Sequence, residues 1–522
     1  EELVSEYLGV GYLTANLRRN GFSCSVFQWE IEEDQKFLEE FLPKATDLEM
    51  IGIPWLYLFS EKRVLSIARK IKKLRPDLKI VIGGHPPTFD YHRILASYEC
   101  IDYVILGEGD YTLVELLKRY RDPKMLKELN GVAFRDYKNN IVVTPAPPQI
   151  RDLDELPDPC RDSLEQLISY HGSADNIVAR MISSRGCYAQ CEFCSMVGFY
   201  SIDGTRMAWR HRSPHRIVKE MELLVEKYHI STFWFCDDEF IGHVKAGKRR
   251  IMELAELLIK HNLPIEYGFD CRANGICTFS VDELRTLRKS GLRIVAMGLE
   301  SGSQEALKRM NKSMNLKYNY RSIDLLKEAG IEYRFGFIMY DPECTLEDIA
   351  KNIEFLKFAR PYKICNSGPF RLLNAEFPEI GTPLFNELGL ERNEIGVSEV
   401  NNFPKLTEES LGYRFHNEDV SIFRKICHHL ALDLFERIMV PRPGNQQKLK
   451  ADTWYYGVNS LPHNARLMDI FLDAHEIVLS QVQAKVSFEE IIRNVSEKVL
   501  MAVQLDDGLD KKRVSNFLQA YY

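Results

Sequence analysis

Short runs of Val, Ile and aromatic residues, each followed by a stretch with helical spacing, recur in two separate blocks of this chain. That alternation limits the fold more than any other feature. In the first block Leu8, Leu13 and Leu17 mark a helix closed by Gly21, and "FSCSVFQW", "MIGIPWLYLF", "KIVIGG" and "DYVILGEG" read as strands. Apolar runs of this kind, separated by helical segments, predict a parallel sheet with helices on both faces. Residues 1–125 are therefore expected to form a doubly wound, Rossmann-like α/β domain. Its opening strand is not visible in the pattern. The chain begins at Glu1 without a methionine, so residues before it are expected.

Ligands of such sheets bind beyond the carboxyl ends of the strands. The sequence places three loops there: "PWLYLF" with Trp55, Leu56 and Tyr57, "GGHPPT" with Gly83, Gly84 and His85, and "GEGDYT" with Gly107, Glu108 and Gly109. Glycine lets a ligand approach the backbone closely, and it also serves ordinary turns that need positive φ. No G-x-G-x-x-G fingerprint is present, which disfavours a nicotinamide dinucleotide.

Residues 126–175 change character: two short strands flank an Asn139-Asn140 turn, and a proline-rich connector follows. The second alternating block, residues 176–373, contains "NIVARMISS", "ISTFWFC", "IEYGFD", "RIVAMGLE", "EYRFGFIM" and "KICNSGPFRL". Six βα units predict a partial (β/α)6 barrel with its site at the C-terminal ends of the strands. Ser213 with Pro214, and Ser280 with Glu283, mark helix starts. Ile217, Met221, Leu224 and Val225 form a core-facing stripe on the first of these helices. Residues 374–522 lose the alternation and read as a helical region broken at "PRPGNQQ".

A chain of 522 residues exceeds what one core usually supports. Lys and Arg number 68 against 75 Asp and Glu, a net charge of −7, which gives no global reason to bind nucleic acid. No apolar run approaches the roughly 18 residues of a membrane-spanning helix. Of twelve cysteines, nine are scattered, so a disulfide framework is not indicated and a reducing cytoplasm is the simpler setting. Cys24, Cys100, Cys365 and Cys427 lie in apolar surroundings and read as small hydrophobes.

The remaining three, Cys187, Cys191 and Cys194, have C-x3-C-x2-C spacing directly after an apolar run. A structural zinc site needs a fourth nitrogen or sulfur ligand, and none follows at finger-like spacing. A ferredoxin cluster also takes four cysteines. Three thiolates on a four-iron cluster leave one iron open to a ligand that is not protein.

That arrangement, with Phe193 just before the last cysteine, resembles the radical S-adenosylmethionine superfamily. The resemblance implies a 4Fe-4S cluster on the three cysteines, with S-adenosylmethionine chelating the open iron. It extends to "FWFCDDEF", with Asp237, Asp238 and Glu239 at a strand end, and to "MGLESGSQEAL", by which Glu300 is expected near the cofactor. The acidic cluster reads equally as helix N-terminal charge. Arg272 is a candidate for the cofactor's carboxylate, or else a surface salt bridge. Where that superfamily often shows a Gly-x-Pro turn, this chain has Tyr340-Asp341-Pro342, followed by a helix start at Thr345 and Asp348.

With the loops of the first block placed before such a barrel, the chain resembles the cobalamin-binding radical S-adenosylmethionine enzymes over about Leu8 to Leu373. Gly83, Gly84 and Gly107 are then expected against a cobalamin, with Trp55, Leu56 and Tyr57 either an apolar face under the corrin or plain core. His85 is expected as a turn or tail contact. A D-x-H-x-x-G motif, the source of an axial histidine in other cobalamin proteins, is not visible; its strand is the one missing from the pattern.

The resemblance implies a methyltransferase that methylates an unactivated carbon through a 5′-deoxyadenosyl radical and methylcobalamin, fed by an external reductant such as flavodoxin or ferredoxin. Competing readings are a cyclase, ring-contraction or carbon-coupling enzyme without net methyl transfer, a radical enzyme with an empty first domain, and a cobalamin or iron–sulfur carrier. A tRNA methylthiotransferase is disfavoured, because further cysteines in the first domain and a β-barrel tail are not evident. The substrate, whether small molecule, peptide or lipid, stays open. "WRHRSPHR", Trp209 to Arg216, suits an anionic substrate or a solvated helix start.

Overall fold

The computed structural model describes residues 6–27, 37–57, 60–175, 177–360, 372–390, 411–430 and 462–504. The first sheet has five strands: β1 (Met50–Pro54), β2 (Lys79–Gly83), β3 (Tyr103–Ile105), β4 (Val132–Arg135) and β5 (Ile141–Val143), in that spatial order. β1 to β3 are parallel, with Gly52 opposite Val81 and Val81 opposite Tyr103. β3 to β5 are antiparallel, so the hairpin around Asn139 and Asn140 extends the first sheet. Val132, Ala133 and Phe134 are buried, and this burial rather than strand periodicity recruits the hairpin. The expected strand at "FSCSVFQW" does not form over Phe22 to Phe27, which are irregular, and its last two residues lie outside the described ones. The segment "MIGIPWLYLF" is strand only over Met50–Pro54.

The second sheet holds β6 (Val178–Met181), β9 (Thr232–Phe235), β10 (Glu266–Arg272), β11 (Leu292–Glu300) and β12 (Glu332–Phe337), all parallel, in the order β12-β11-β10-β9-β6. A two-stranded ribbon, β7 (Ser184–Arg185) with β8 (Arg210–His211), lies just after β6. Five strands of the expected six are therefore seen. The sixth falls almost wholly on residues 361–371, outside the described ones, although Ala375 beyond it bridges Tyr340 in parallel. The helix starts are as read: Ser280 with Glu283 and Thr345 with Asp348 form reciprocal capping boxes, and Pro214 opens its helix.

One continuous core runs from the barrel into the helices Glu418–Leu430 and Pro462–Gln483, where Phe423, Phe471 and Val478 are buried with Phe335 and Phe355 of the barrel. The break at "PRPGNQQ" and Cys365 lie outside the described residues. Among the described residues no helix is long and apolar enough to cross a membrane.

Charged side chains tie the two sheets' units together. Arg161, in the connector, is fully enclosed and pairs with Glu6 at 2.6 Å and Glu220 at 2.5 Å. Arg212 completes the group, pairing with Glu220 at 2.5 Å and donating to the Tyr12 hydroxyl at 3.2 Å. Removing any one member of such a buried group would leave a charge uncompensated, which ties the two units to one another. Trp209 to Arg216 thus belongs to the framework: Arg210 and Arg212 are buried, and of this stretch only His211 and His215 are exposed.

Candidate functional site

The cysteine loop leaves β7 through Gly186, whose φ of +78° and whose approach to the Ala208 carbonyl exclude a side chain; a Cβ there would stand 2.3 Å from that oxygen. Asp237 accepts from the Ser183 amide at 2.7 Å and from the Ser184 hydroxyl at 3.0 Å, and Asp238 accepts from the Gly186 amide at 2.8 Å. Glu239 accepts from the amides of Ile241 (3.1 Å), Gly242 (3.2 Å) and Arg272 (2.8 Å). The next helix begins only at Val244, so these three acids brace the strand-end loops and are not its N-terminal charge. Burial raises the pKa of Asp238 to about 6 and of Glu239 to about 7.

Cys191 is buried and Cys187 and Cys194 half-buried; burial pushes the Cys187 thiol up to about 11 and the Cys194 thiol to about 12. The Ala189 amide donates to Cys187 Sγ at 3.4 Å, and Arg272 Nη1 donates to Cys191 Sγ at 3.4 Å. Among the described residues no three His, Cys, Asp or Glu side chains converge on one metal-ion position. A four-iron cubane needs no such convergence, because each thiolate binds a different iron. Three sheltered sulfurs, two of them already receiving N–H donors of the kind that stabilise cluster sulfur, fit that group.

Arg272 is buried, not a surface salt bridge: its guanidinium also donates to the Lys312 carbonyl and lies over the Tyr188 ring, 5.5 Å from the centroid. Glu300 ends β11 with φ +62°. A Cβ on Gly298 or Gly336 would meet its carboxylate at 2.5 or 3.3 Å, so the two glycines make its room. Lys312 Nζ pairs with Glu300 Oε1 at 2.8 Å and stands 5.6 Å from the centre of the Phe193 ring. Phe193, Cys191, Arg272, Glu300 and Lys312 thus form one connected group at the strand ends. Lys312 was not singled out from sequence, because a lysine in "RMNKSMN" carries no local sign of burial.

At the first sheet, the Trp55 indole is fully buried and donates to the Tyr57 carbonyl at 2.9 Å, whereas Leu56 and Tyr57 are 39% and 56% exposed. Gly84, at φ +123°, lies against the Trp55 carbonyl, 2.3 Å from where a Cβ would be. The Gly107 amide donates to Thr88 Oγ1 at 3.1 Å, and Gly109 opens the helix Gly109–Arg119 against Ile105. Gly83, Gly84 and Gly107 thus lie against Ile105, Trp55 and Ile202 of the chain itself, and the exposed pair Leu56 and Tyr57 is the apolar surface these strand ends offer a corrin. His85 is the first residue of the helix His85–Ser97, not a loop residue. Its imidazole stacks on Phe199 at 4.2 Å and 21°, and burial lowers its pKa to about 4. Phe199 lies on the helix Ser195–Tyr200, directly after Cys194. Glu108 faces the barrel, pairing with Arg185 at 3.0 Å and Arg210 at 2.7 Å. Asp110 takes Arg185 as well, so the loop after β3 is bonded to the segment that leads into Cys187. Arg185 was likewise not legible, since its partners lie 75 and 77 residues away.

Residues 181–356 match the model of the radical SAM superfamily, and residues 3–117 match that of the B12-binding domain. This defines a cobalamin-binding domain set before a radical barrel. The chain belongs to the cobalamin-binding radical S-adenosylmethionine enzymes, a family whose cofactors are a 4Fe-4S cluster, S-adenosylmethionine and cobalamin. It is 30% identical to the anaerobic magnesium-protoporphyrin IX monomethyl ester cyclase of Rubrivivax gelatinosus over 68% of this chain and 61% of that one. It thus spans about three fifths of that relative's length. It is 28% identical to an uncharacterized methyltransferase of Pyrococcus horikoshii, over 67% and 72% of the two chains. The structure of the cobalamin-dependent S-adenosylmethionine radical enzyme OxsB with aqua-cobalamin and S-adenosylmethionine bound superposes with a TM-score of 0.73 at 19% identity, covering 99% of this chain and 81% of that one. The radical S-adenosylmethionine methyltransferase TsrM from Kitasatospora setae gives 0.54 at 18% identity, covering 67% and 68%. These two likenesses show the fold.

Proposed function

We propose that the chain is a cobalamin-dependent radical methyltransferase acting on an unactivated carbon. When bound, the cluster supplies the electron that cleaves S-adenosylmethionine to an adenosyl radical, and the corrin supplies the methyl group. Cys187, Cys191 and Cys194 hold the cluster. Phe193, Asp238, Glu239, Arg272 and Glu300 shape the S-adenosylmethionine site: Arg272 presents its guanidinium beside Cys191, and Glu300 presents a carboxylate steadied by Lys312. Trp55, Leu56, Tyr57, Gly83, Gly84, His85, Gly107, Glu108 and Gly109 shape the corrin site. The observation that carries the reading is the bonding of Glu108 and Asp110 to Arg185, which sets the corrin-binding edge of the first sheet against the start of the cysteine loop. A small-molecule, peptide or lipid substrate enters between them, and a flavodoxin or ferredoxin delivers the electron.

The test is anaerobic reconstitution with iron, sulfide and hydroxocobalamin, followed by product analysis. About four irons and one cobalt per chain are expected. S-adenosylhomocysteine appearing beside 5′-deoxyadenosine supports methyl transfer. A second reading, ring closure without methyl transfer, is favoured by the 30% identity to a protein named as a cyclase. In that case 5′-deoxyadenosine appears alone.

A further inference from the structure

Glu376 stands beyond Ala375, whose backbone bridges Tyr340 past the end of β12. This is the end of the barrel at which Glu300 and the cysteine loop meet. The Glu376 backbone is tied down: its amide donates to the Tyr340 carbonyl at 2.8 Å, and its carbonyl accepts from the Tyr413 hydroxyl at 2.8 Å. Its side chain is fully buried, yet neither carboxyl oxygen has a hydrogen-bond partner among the described residues. A buried carboxyl with no donor on either oxygen is rare, because desolvation is left uncompensated, and it calls for a partner that the described residues do not supply.

The chemistry of that partner follows from the charges facing Glu376. The strongest of these are Glu192, lying between Cys191 and Cys194, then Asp341 and Glu300, opposed by Arg309; the buried Arg424 lies over the Tyr340 ring at 5.9 Å. Arg309 is already engaged, by Asp341 at 2.7 and 2.8 Å and by Asp348 at 2.8 Å. Nearby Lys312 is held by Glu300. Burial, reinforced by Glu192, raises the Glu376 pKa to about 9. A phosphate or carboxylate would face an excess of carboxylates here, whereas a group with a positive charge and N–H donors would satisfy both oxygens and offset that excess.

We propose that Glu376 seats a protonated nitrogen of the substrate, an alkylammonium or guanidinium group, beside the cysteine loop. The inference rests on the radical-enzyme reading of that end of the barrel and narrows its substrate to molecules carrying such a cation.

The experiment is infrared difference spectroscopy on the reconstituted full chain and on Glu376→Gln, which keeps the side-chain volume; far-UV circular dichroism confirms that both are folded. The wild-type minus variant spectrum is expected to contain a carboxylic-acid carbonyl band. With S-adenosylmethionine already present, n-butylammonium chloride should replace it by carboxylate bands, and n-butanol should leave it. The proposal is overturned if the band is missing, if butylammonium does not move it, or if S-adenosylmethionine alone removes it, which would give Glu376 to the cofactor. Iron content and 5′-deoxyadenosine formation by the wild type report separately on the functional reading, and the butylammonium response decides the role of Glu376 whichever way they fall.

Discussion

Arg185 grips Asp110 with both arms of its guanidinium, Nη1 to Oδ2 at 2.8 Å and Nη2 to Oδ1 at 3.1 Å, two residues before Cys187. The same Nη1 reaches Glu108 at 3.0 Å. A forked pair fixes orientation as well as distance, so the entry to the cysteine loop inherits its position from the first sheet. All three side chains are mostly buried, at 12%, 6% and 7% exposure.

Arg185→Leu therefore leaves two carboxylates enclosed, with Glu108 keeping Arg210 and the Ile150 amide. The expected loss is about 3–5 kcal/mol, the usual effect of removing one partner of a buried pair. Urea unfolding of the variant against the wild type measures it. Adding Asp110→Leu to Arg185→Leu should recover part of the loss, since one uncompensated charge disappears; a double variant no better than the single one would refute the pairing as the cause.

Lys312→Met tests the next link. Lys312 is the partner of Glu300 and sits over Phe193, so its loss leaves the Glu300 carboxylate without its cation in a buried place. The cysteines are untouched and iron uptake should stay at the wild-type level. S-adenosylmethionine affinity should fall about tenfold or more, roughly 1.4 kcal/mol. Equilibrium dialysis with labelled cofactor reads the change, and an unaltered affinity would remove Glu300 and Lys312 from the site.

What the sequence made legible follows from where each signal is local. The cysteine spacing carries its chemistry within eight residues, and barrel strands such as β9 and β11 announce themselves because both their faces are largely buried. The run Phe22 to Phe27 has the same apolar character but pairs with no strand among the described residues, and apolar character alone does not make a sheet edge. The hairpin at Asn139 was readable as a hairpin but not as part of the first sheet, since nothing local names its partner strand. Arg185, Lys312 and Glu376 were hidden for a related reason: burial of a charge depends on partners brought together by the fold. Gly298 and Gly336, which make room for Glu300, read as ordinary strand glycines until the two strands are paired.

Gly186→Ala challenges the loop from the backbone side. At φ +78° an alanine is strained, and its Cβ would sit 2.3 Å from a backbone carbonyl that cannot swing aside. The expected destabilisation is about 2 kcal/mol or more. Because the strain falls one residue before Cys187, iron retained after desalting should drop along with the unfolding midpoint. A variant that keeps both would show that the loop has freedom the structure does not suggest.

Acid sensitivity should come partly from His475. The imidazole is fully buried between Phe471 and Phe423, its Nδ1 bonded to the Phe471 carbonyl at 2.8 Å, and burial lowers its pKa from 6.5 to about 4. The unfolded chain takes up a proton near pH 6.5 that the folded chain refuses until about pH 4. Its contribution is thus complete above pH 6.5 and is lost as the pH falls through that window. One group depressed this far accounts for at most about 3 kcal/mol. His475→Leu removes the titration and the Nε2 atom that has no partner among the described residues. Denaturant midpoints at pH 6.5 and 4.5 should therefore differ less in the variant than in the wild type. Equal differences would assign the acid sensitivity to other groups, such as the Asp348 carboxyl, whose hydrogen bonds from Ser303, Thr345 and Arg309 outweigh its burial and hold it below the usual range.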